Sequence, residues 1–80
     1  MKERPISHIF GDRIRHLRTE KGLSQEELAE LADLHRTFIG RIERGETNVT
    51  LVNIKKISKG LKVSISKLFE EPEKSAGKTR

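Results

Sequence analysis

Between Ser24 and Gly45 the chain reads SQEELAELADLHRTFIGRIERG, two short apolar sets at helical spacing with a single break at Asp33-Leu34-His35. That break constrains the fold more than any other feature. Ser24 followed three residues later by Glu27 is the pattern of a capping box, in which each side chain satisfies the other's backbone N–H. Leu23 and Leu28 flank the cap at the spacing of a hydrophobic staple. Leu28, Leu31 and Ala32 then recur on one helical face, with Glu26, Glu27 and Glu30 elsewhere and solvated. Phe38, Ile39 and Ile42 begin a second helix of about nine residues that stops at Gly45. The connection is too short for two long antiparallel helices, so a tight corner follows, with Ala29 and Ala32 small enough for close backbone approach.

Neighbouring segments extend the same pattern. Ser7 is placed to cap a first helix to about Lys21, with Phe10, Ile14 and Leu17 as its buried stripe. Gly22 ends it and Leu23 folds back in a Schellman closure. Gly11 costs about 1 kcal/mol of helix propensity relative to Ala, which marks a close helix contact. Thr50 caps a fourth helix to about Leu61, with Leu51, Ile54, Ile57 and Leu61 inward. Ser64 caps a short fifth helix stopped by Glu71-Pro72. The expected organisation is an all-α, compact five-helix domain over residues 7–71. A mobile arm over 1–6 and a disordered tail over 72–80 flank it.

The wording GLSQEELA and RIERGE, with Gln25, Leu28, Ala29, Leu34, Ile39 and Ile42 in order, resembles the helix-turn-helix unit of the lambda-repressor/Cro-like (XRE-type) DNA-binding family. The resemblance covers about Phe10 to Phe69. Asp33 stands where that family usually has Gly, and Asp tolerates the left-handed conformation better than most residues. The resemblance implies a lambda-repressor-like fold and a sequence-specific, double-stranded-DNA-binding transcriptional regulator. It further implies a homodimer on a pseudo-palindromic operator. LHRTFIGRIERG and the short length are most similar to restriction–modification controller proteins, with phage Cro-like repressors second. A protein-interaction module such as an antitoxin is the alternative from another class, and it would call for a partner-binding extension.

Residue chemistry points to the same partner. The net charge is +5, and the seven bases between His35 and Lys62 face only Glu43 and Glu46, whereas Gly22 to Leu34 holds four acids and no base. A polyanion suits that distribution. Arg36, Thr37, Arg41 and His35 cluster at the second corner helix, and arginine can donate two parallel hydrogen bonds to guanine O6 and N7. By the resemblance, Arg36 and Thr37 fall at the end of the recognition helix that enters the groove. Gln25 opens the first corner helix, where free N–H groups favour an anion. Asn48 and Thr50 sit in the same way before the fourth helix. Gly40 lets DNA come close, and the resemblance implies that Arg18 also lies near a phosphate. The resemblance also pairs Arg18 with Glu43 and places the short fifth helix at the dimer seam, where Ile65, left over once Leu68 and Phe69 turn inward, is expected to meet its symmetry mate or a neighbouring apolar residue such as Leu61.

Other chemistries find little support. Three histidines, His8, His16 and His35, lack metal-ligand spacing, so no metal is expected and no cofactor is called for. No catalytic triad or glycine-rich phosphate loop is present, and 80 residues bury only about 60% of their unfolded surface, leaving no room for a sheltered active site. No enzyme is expected. Three Phe, all at core-facing positions, leave no stacking platform for RNA. With no Cys and no apolar run of about 18 residues, the expectation is a cytoplasmic protein without a membrane partner.

Overall fold

Four α-helices and one 3-10 turn follow each other in a computed structural model that describes residues 4–70. They are α1 (Ile6–Glu20), α2 (Gln25–Ala32), α3 (Arg36–Glu43), α4 (Leu51–Leu61) and the turn Ser66–Phe69. The expected fifth helix is thus a single 3-10 turn, in which Ser64 Oγ accepts from the Lys67 amide at 3.3 Å. A segment this short gains too few backbone bonds to propagate as an α-helix. The tail beyond residue 70, its Pro72 stop and the first three residues of the arm lie outside the described residues.

Local chemistry explains the helix starts. Ser24 accepts from the Glu27 amide at 3.0 Å while Glu27 accepts from the Ser24 amide at 2.8 Å, a complete capping box. Thr50 accepts from Asn53 at 3.1 Å. Ser7 does not cap α1. The helix begins one residue earlier, at Ile6, with Pro5 at the cap and no side-chain bond, because proline's fixed φ already suits a helix start. Arg4 reaches forward to Asp12, so the chain is engaged from there.

The helix ends share one device. Leu23, Leu34, Glu46 and Val63 each return an N–H to a carbonyl five residues back, the Schellman closure. The residue before each is left-handed: Gly22, Asp33, Gly45 and Lys62, with Asp33 at φ 57° and Lys62 at φ 60°. Asp33 therefore does adopt the conformation that the family's glycine would.

Phe10, Ile14, Leu17, Leu28, Ala29, Ala32, Ile39, Ile42, Ile54, Ile57, Leu61 and Leu68 form one core. Four residues expected to face inward are missing from it: Phe38 is only partly buried against the cluster, Phe69 is 42% exposed at the outer edge of the 3-10 turn, and Leu31 and Leu51 lie outside. Leu31 is 54% exposed, since α2 centres its buried arc on Leu28, Ala29 and Ala32 and Leu31 falls on the flank, at about 100° per residue. Leu51 is 84% exposed because it lies in the first turn of α4, where Cβ is directed back toward the N-terminus and away from the core. Ala32 lies against α4 rather than within the corner. A Cβ on Gly60 would stand 3.2 Å from its backbone nitrogen.

Candidate nucleic-acid interface

The second corner helix is held from behind by α1. Gly11 lets the two backbones touch: a Cβ there would lie 2.3 Å from the Ile42 carbonyl oxygen and 2.8 Å from that of Glu43. About two turns further along α1, Arg18 Nε donates to Glu43 Oε2 at 2.6 Å and its Nη2 to Oε1 at 3.0 Å. The Glu43 side chain is fully buried. Gln25 Nε2 also donates to Glu43 Oε1 at 2.9 Å, and Arg15 Nε stands 3.8 Å from the same oxygen. Three elements thus converge on one carboxylate, and the hydrogen bonds that Arg18 donates to Glu43 raise the Arg18 pKa above its ordinary value.

This arrangement changes several expectations. Arg18 spends three donors inward, two on Glu43 and one on the Leu23 carbonyl at 2.8 Å, and its side chain is 13% exposed, so it acts as a strut rather than a phosphate ligand. Gln25 has its amide on Glu43, which leaves the backbone N–H groups of the α2 start as the donors that face outward. Gly40 is buried, and a Cβ on it would meet Arg44 Nη1 at 3.2 Å and Gln25 Oε1 at 3.5 Å; it eases helix packing and offers no surface to a ligand. His35 is the N-cap of α3, its Nδ1 accepting from the Thr37 amide at 3.2 Å, so the neutral ring carries its proton on Nε2. Leu61 is completely buried as the last apolar residue of α4 before the chain reverses at Lys62, and it cannot lie in a dimer seam.

What faces solvent is the outer side of α3 and its first turn. Arg36, Thr37 and Arg41 are all exposed, with Thr37 and Arg41 one turn apart on one face. The Arg36 side chain is 66% exposed and 3.7 Å from Glu26, a contact worth at most about 1 kcal/mol that leaves the guanidinium available. Asn48 and Thr50 are exposed beside the start of α4, and although Thr50 Oγ1 accepts the capping bond its hydroxyl hydrogen is still free to donate. At the far end of α3 the Arg44 guanidinium, 2.9 Å from Glu46, holds that carboxyl below the usual carboxylate range and is itself raised by the bond.

Three basic residues escaped the sequence. Arg15 lies three positions before Arg18 on the same helix, a spacing that could have linked it to the Glu43 cluster. Arg13 falls in line with Phe10 and Leu17 and is buried, which its charge concealed. Arg44 looked like one more surface base. No group of three or more potential metal ligands occurs among the described residues, and no helix there is long and apolar enough to cross a membrane.

A capped helix, a left-handed turn and a second helix that offers exposed donors from a buried anchor together define a helix-turn-helix DNA-binding module. Known proteins agree. The family described as Helix-turn-helix matches residues 14–68. Control protein C.MunI of a Mycoplasma species is 50% identical over 66 residues, spanning 81% of this chain and 89% of that protein. Control protein C.BamHI of Bacillus amyloliquefaciens is 51% identical, over 81% of this chain and 82% of its own. Among solved structures, the restriction-modification controller protein C.AhdI from Aeromonas hydrophila superposes with a TM-score of 0.78 at 51% identity, covering 79% of this chain and 96% of that one. The chain belongs to the helix-turn-helix family, XRE-type, and is a DNA-binding transcriptional regulator rather than a member of an enzyme class.

Proposed function

We propose that this protein acts in the cytoplasm as a homodimer on a pseudo-palindromic operator and controls the genes of a restriction–modification system. The exposed first turn of α3 carries the proposal, because Arg36 and Thr37 project from a helix whose other end is locked through Glu43. Arg36, Thr37 and Arg41 read base edges, assisted by the Nε2 side of His35. The start of α2 at Gln25, with Asn48 and Thr50 at the start of α4, takes phosphates on either side. The names of the relatives, control and controller proteins, support the genetic context.

Dimerisation follows from reach and from surface. A single recognition helix covers too few base pairs to bind tightly, and two-fold pairing sets two of them about 34 Å apart. Ile6, Leu31, Leu51, Val52, Ile65 and Phe69 are all at least 40% exposed, and Ile65 and Phe69 flank one short turn. Ile65 and Phe69, at the 3-10 turn, form the proposed seam. Ile65→Glu then gives a folded monomer with greatly reduced operator binding, and a variant still dimeric by sedimentation at micromolar concentration would place the seam elsewhere. For base reading, Arg36→Ala lowers specific affinity by about 1–3 kcal/mol and relaxes preference at one base pair per half-site. Equal losses on specific and random duplexes would remove Arg36 from the readers.

A further inference from the structure

Arg13 is a buried charge that neither the recognition surface nor the Glu43 cluster uses. It sits on the inward face of α1, three residues after Phe10 and four before Leu17, at 6% exposure. Among the described residues no carboxylate lies within ion-pair distance of it; Asp12 is engaged by Arg4, and Glu43 by Arg15 and Arg18. A guanidinium so placed is costly unless its hydrogen bond is structurally useful. The bond it makes is long-range: Nε donates to the Lys67 carbonyl at 3.2 Å, across 54 residues of sequence.

Lys67 lies inside the 3-10 turn, which directs Leu68 into the core and leaves Ile65 and Phe69 about 40% exposed. A four-residue turn has almost no stability of its own. Besides Arg13, its fastenings are the Phe10–Phe69 ring pair, at 5.1 Å between centroids and tilted by 34°, and the buried Leu68. An aromatic pair and an aliphatic plug resist separation but tolerate sliding. A hydrogen bond from a buried, planar donor is directional, so Arg13 fixes where along α1 the turn sits. The same α1 carries Gly11 and Arg18, which fix α3. Arg13 is therefore the joint between the proposed seam and the recognition helix.

We infer that Arg13 is a positioning residue that sets the separation and angle of the two recognition helices, and hence the half-site spacing the dimer accepts. This rests on the homodimer proposed above. Loss of Arg13 should leave the grip on one half-site intact and broaden the spacing tolerance.

The Lys67 carbonyl also accepts from the Glu70 amide at 3.4 Å, so Arg13→Met removes the joint without stripping that oxygen of every partner. The probes are duplexes carrying the half-site that the wild-type protein selects from a random pool, singly or as an inverted pair at the selected spacing and at one base pair more or less. One base pair turns a half-site by about 35° around the duplex, so the wild type should lose about tenfold or more at either altered spacing. Arg13→Met should lose about threefold or less there, with single-half-site affinity within about twofold of wild type. Arg13→Lys keeps a cation but reaches the carbonyl from a different atom, and should fall between the two. An unchanged spacing profile in Arg13→Met, or an equal loss on every duplex including the single half-site, overturns the proposal. Should Arg13→Met fail to fold, Arg13→Lys decides alone: an intermediate profile supports the joint and a wild-type profile overturns it. Wild-type protein that binds all spacings equally would instead bring down the dimer as well.

Discussion

Helix α1 makes two junctions, and they are built on different physics. Against α3 it brings backbone to backbone at Gly11 and adds a buried carboxylate shared by Arg18 and Gln25. Against the 3-10 turn it offers a tilted ring pair, of which Phe10 is buried and Phe69 42% exposed, and one bond from Arg13. The first junction has no slack, because hard-sphere contact and paired charge both define a single geometry. The second defines position through one directional bond and leaves apolar surface uncovered. A reading head must not move relative to its own domain, whereas the seam proposed above is a surface that a second copy would complete.

The contrast can be broken most severely at Gly11. Gly11→Ala drives a methyl group into two backbone carbonyls that have nowhere to go, and a loss of about 3 kcal/mol or more is expected in urea unfolding. A variant of wild-type stability would mean that α1 and α3 can separate freely and that the first junction is as loose as the second. Glu43→Ala comes next. It strips Arg18 of its counter-charge and two of its three acceptors, and Gln25 of its acceptor, in a mostly buried site and should remove about 2–4 kcal/mol. Arg18→Met should cost less on its own, and the double variant less than the sum. Strictly additive unfolding energies would show that the two charges do not interact.

Smaller effects sharpen the comparison from the other side. Phe69→Ala removes one partner of the ring pair at a residue 42% exposed, so about 1 kcal/mol is expected, well below the cost at Gly11. A loss equal to that of Gly11→Ala would make the second junction as rigid as the first. The least effect belongs to Glu46, three residues after Glu43 but with an exposed side chain. Its carboxyl is held below the ordinary range chiefly by the Arg44 hydrogen bond. A depressed folded-state value means that the contribution is present above the unfolded carboxylate value, about 4.3, and is lost as pH falls through the folded one. The stability gap between wild type and Glu46→Gln should therefore close on acidification. A gap that persists unchanged in acid would exclude the Arg44 contact as its cause.

Comparing the same regions shows how far sequence reaches. The Ser24–Glu27 box, the Thr50 cap and the closure at Gly22 were legible because both partners lie within five residues of each other. Those interactions depend on helical geometry alone. The Arg18–Glu43 pair, 25 residues apart, came from family resemblance and not from spacing. Gln25 and Arg15 were not seen to join it, since nothing local to Gln25 announces a carboxylate 18 positions away. Misplacement of Leu31 and Leu51 has a related cause. Helical spacing shows which residues share a face, but the neighbours available to cover that face decide which of them is buried.

By itself, then, the sequence determined the four α-helices, the Ser24 and Thr50 caps and the tolerance of Asp33 for a left-handed turn, consequences of short-range backbone geometry, while the class of partner came from charge together with family resemblance. Only the tertiary structure decided that Leu61 is core and not seam, that Gly40 is covered, that Arg18 faces inward and that Arg13 is buried beneath the 3-10 turn. Those outcomes depend on which distant surfaces meet. Burial and long-range hydrogen bonds are properties of the assembled packing, where a carbonyl 54 residues away can hold an arginine that, in the linear chain, looks like any other surface base.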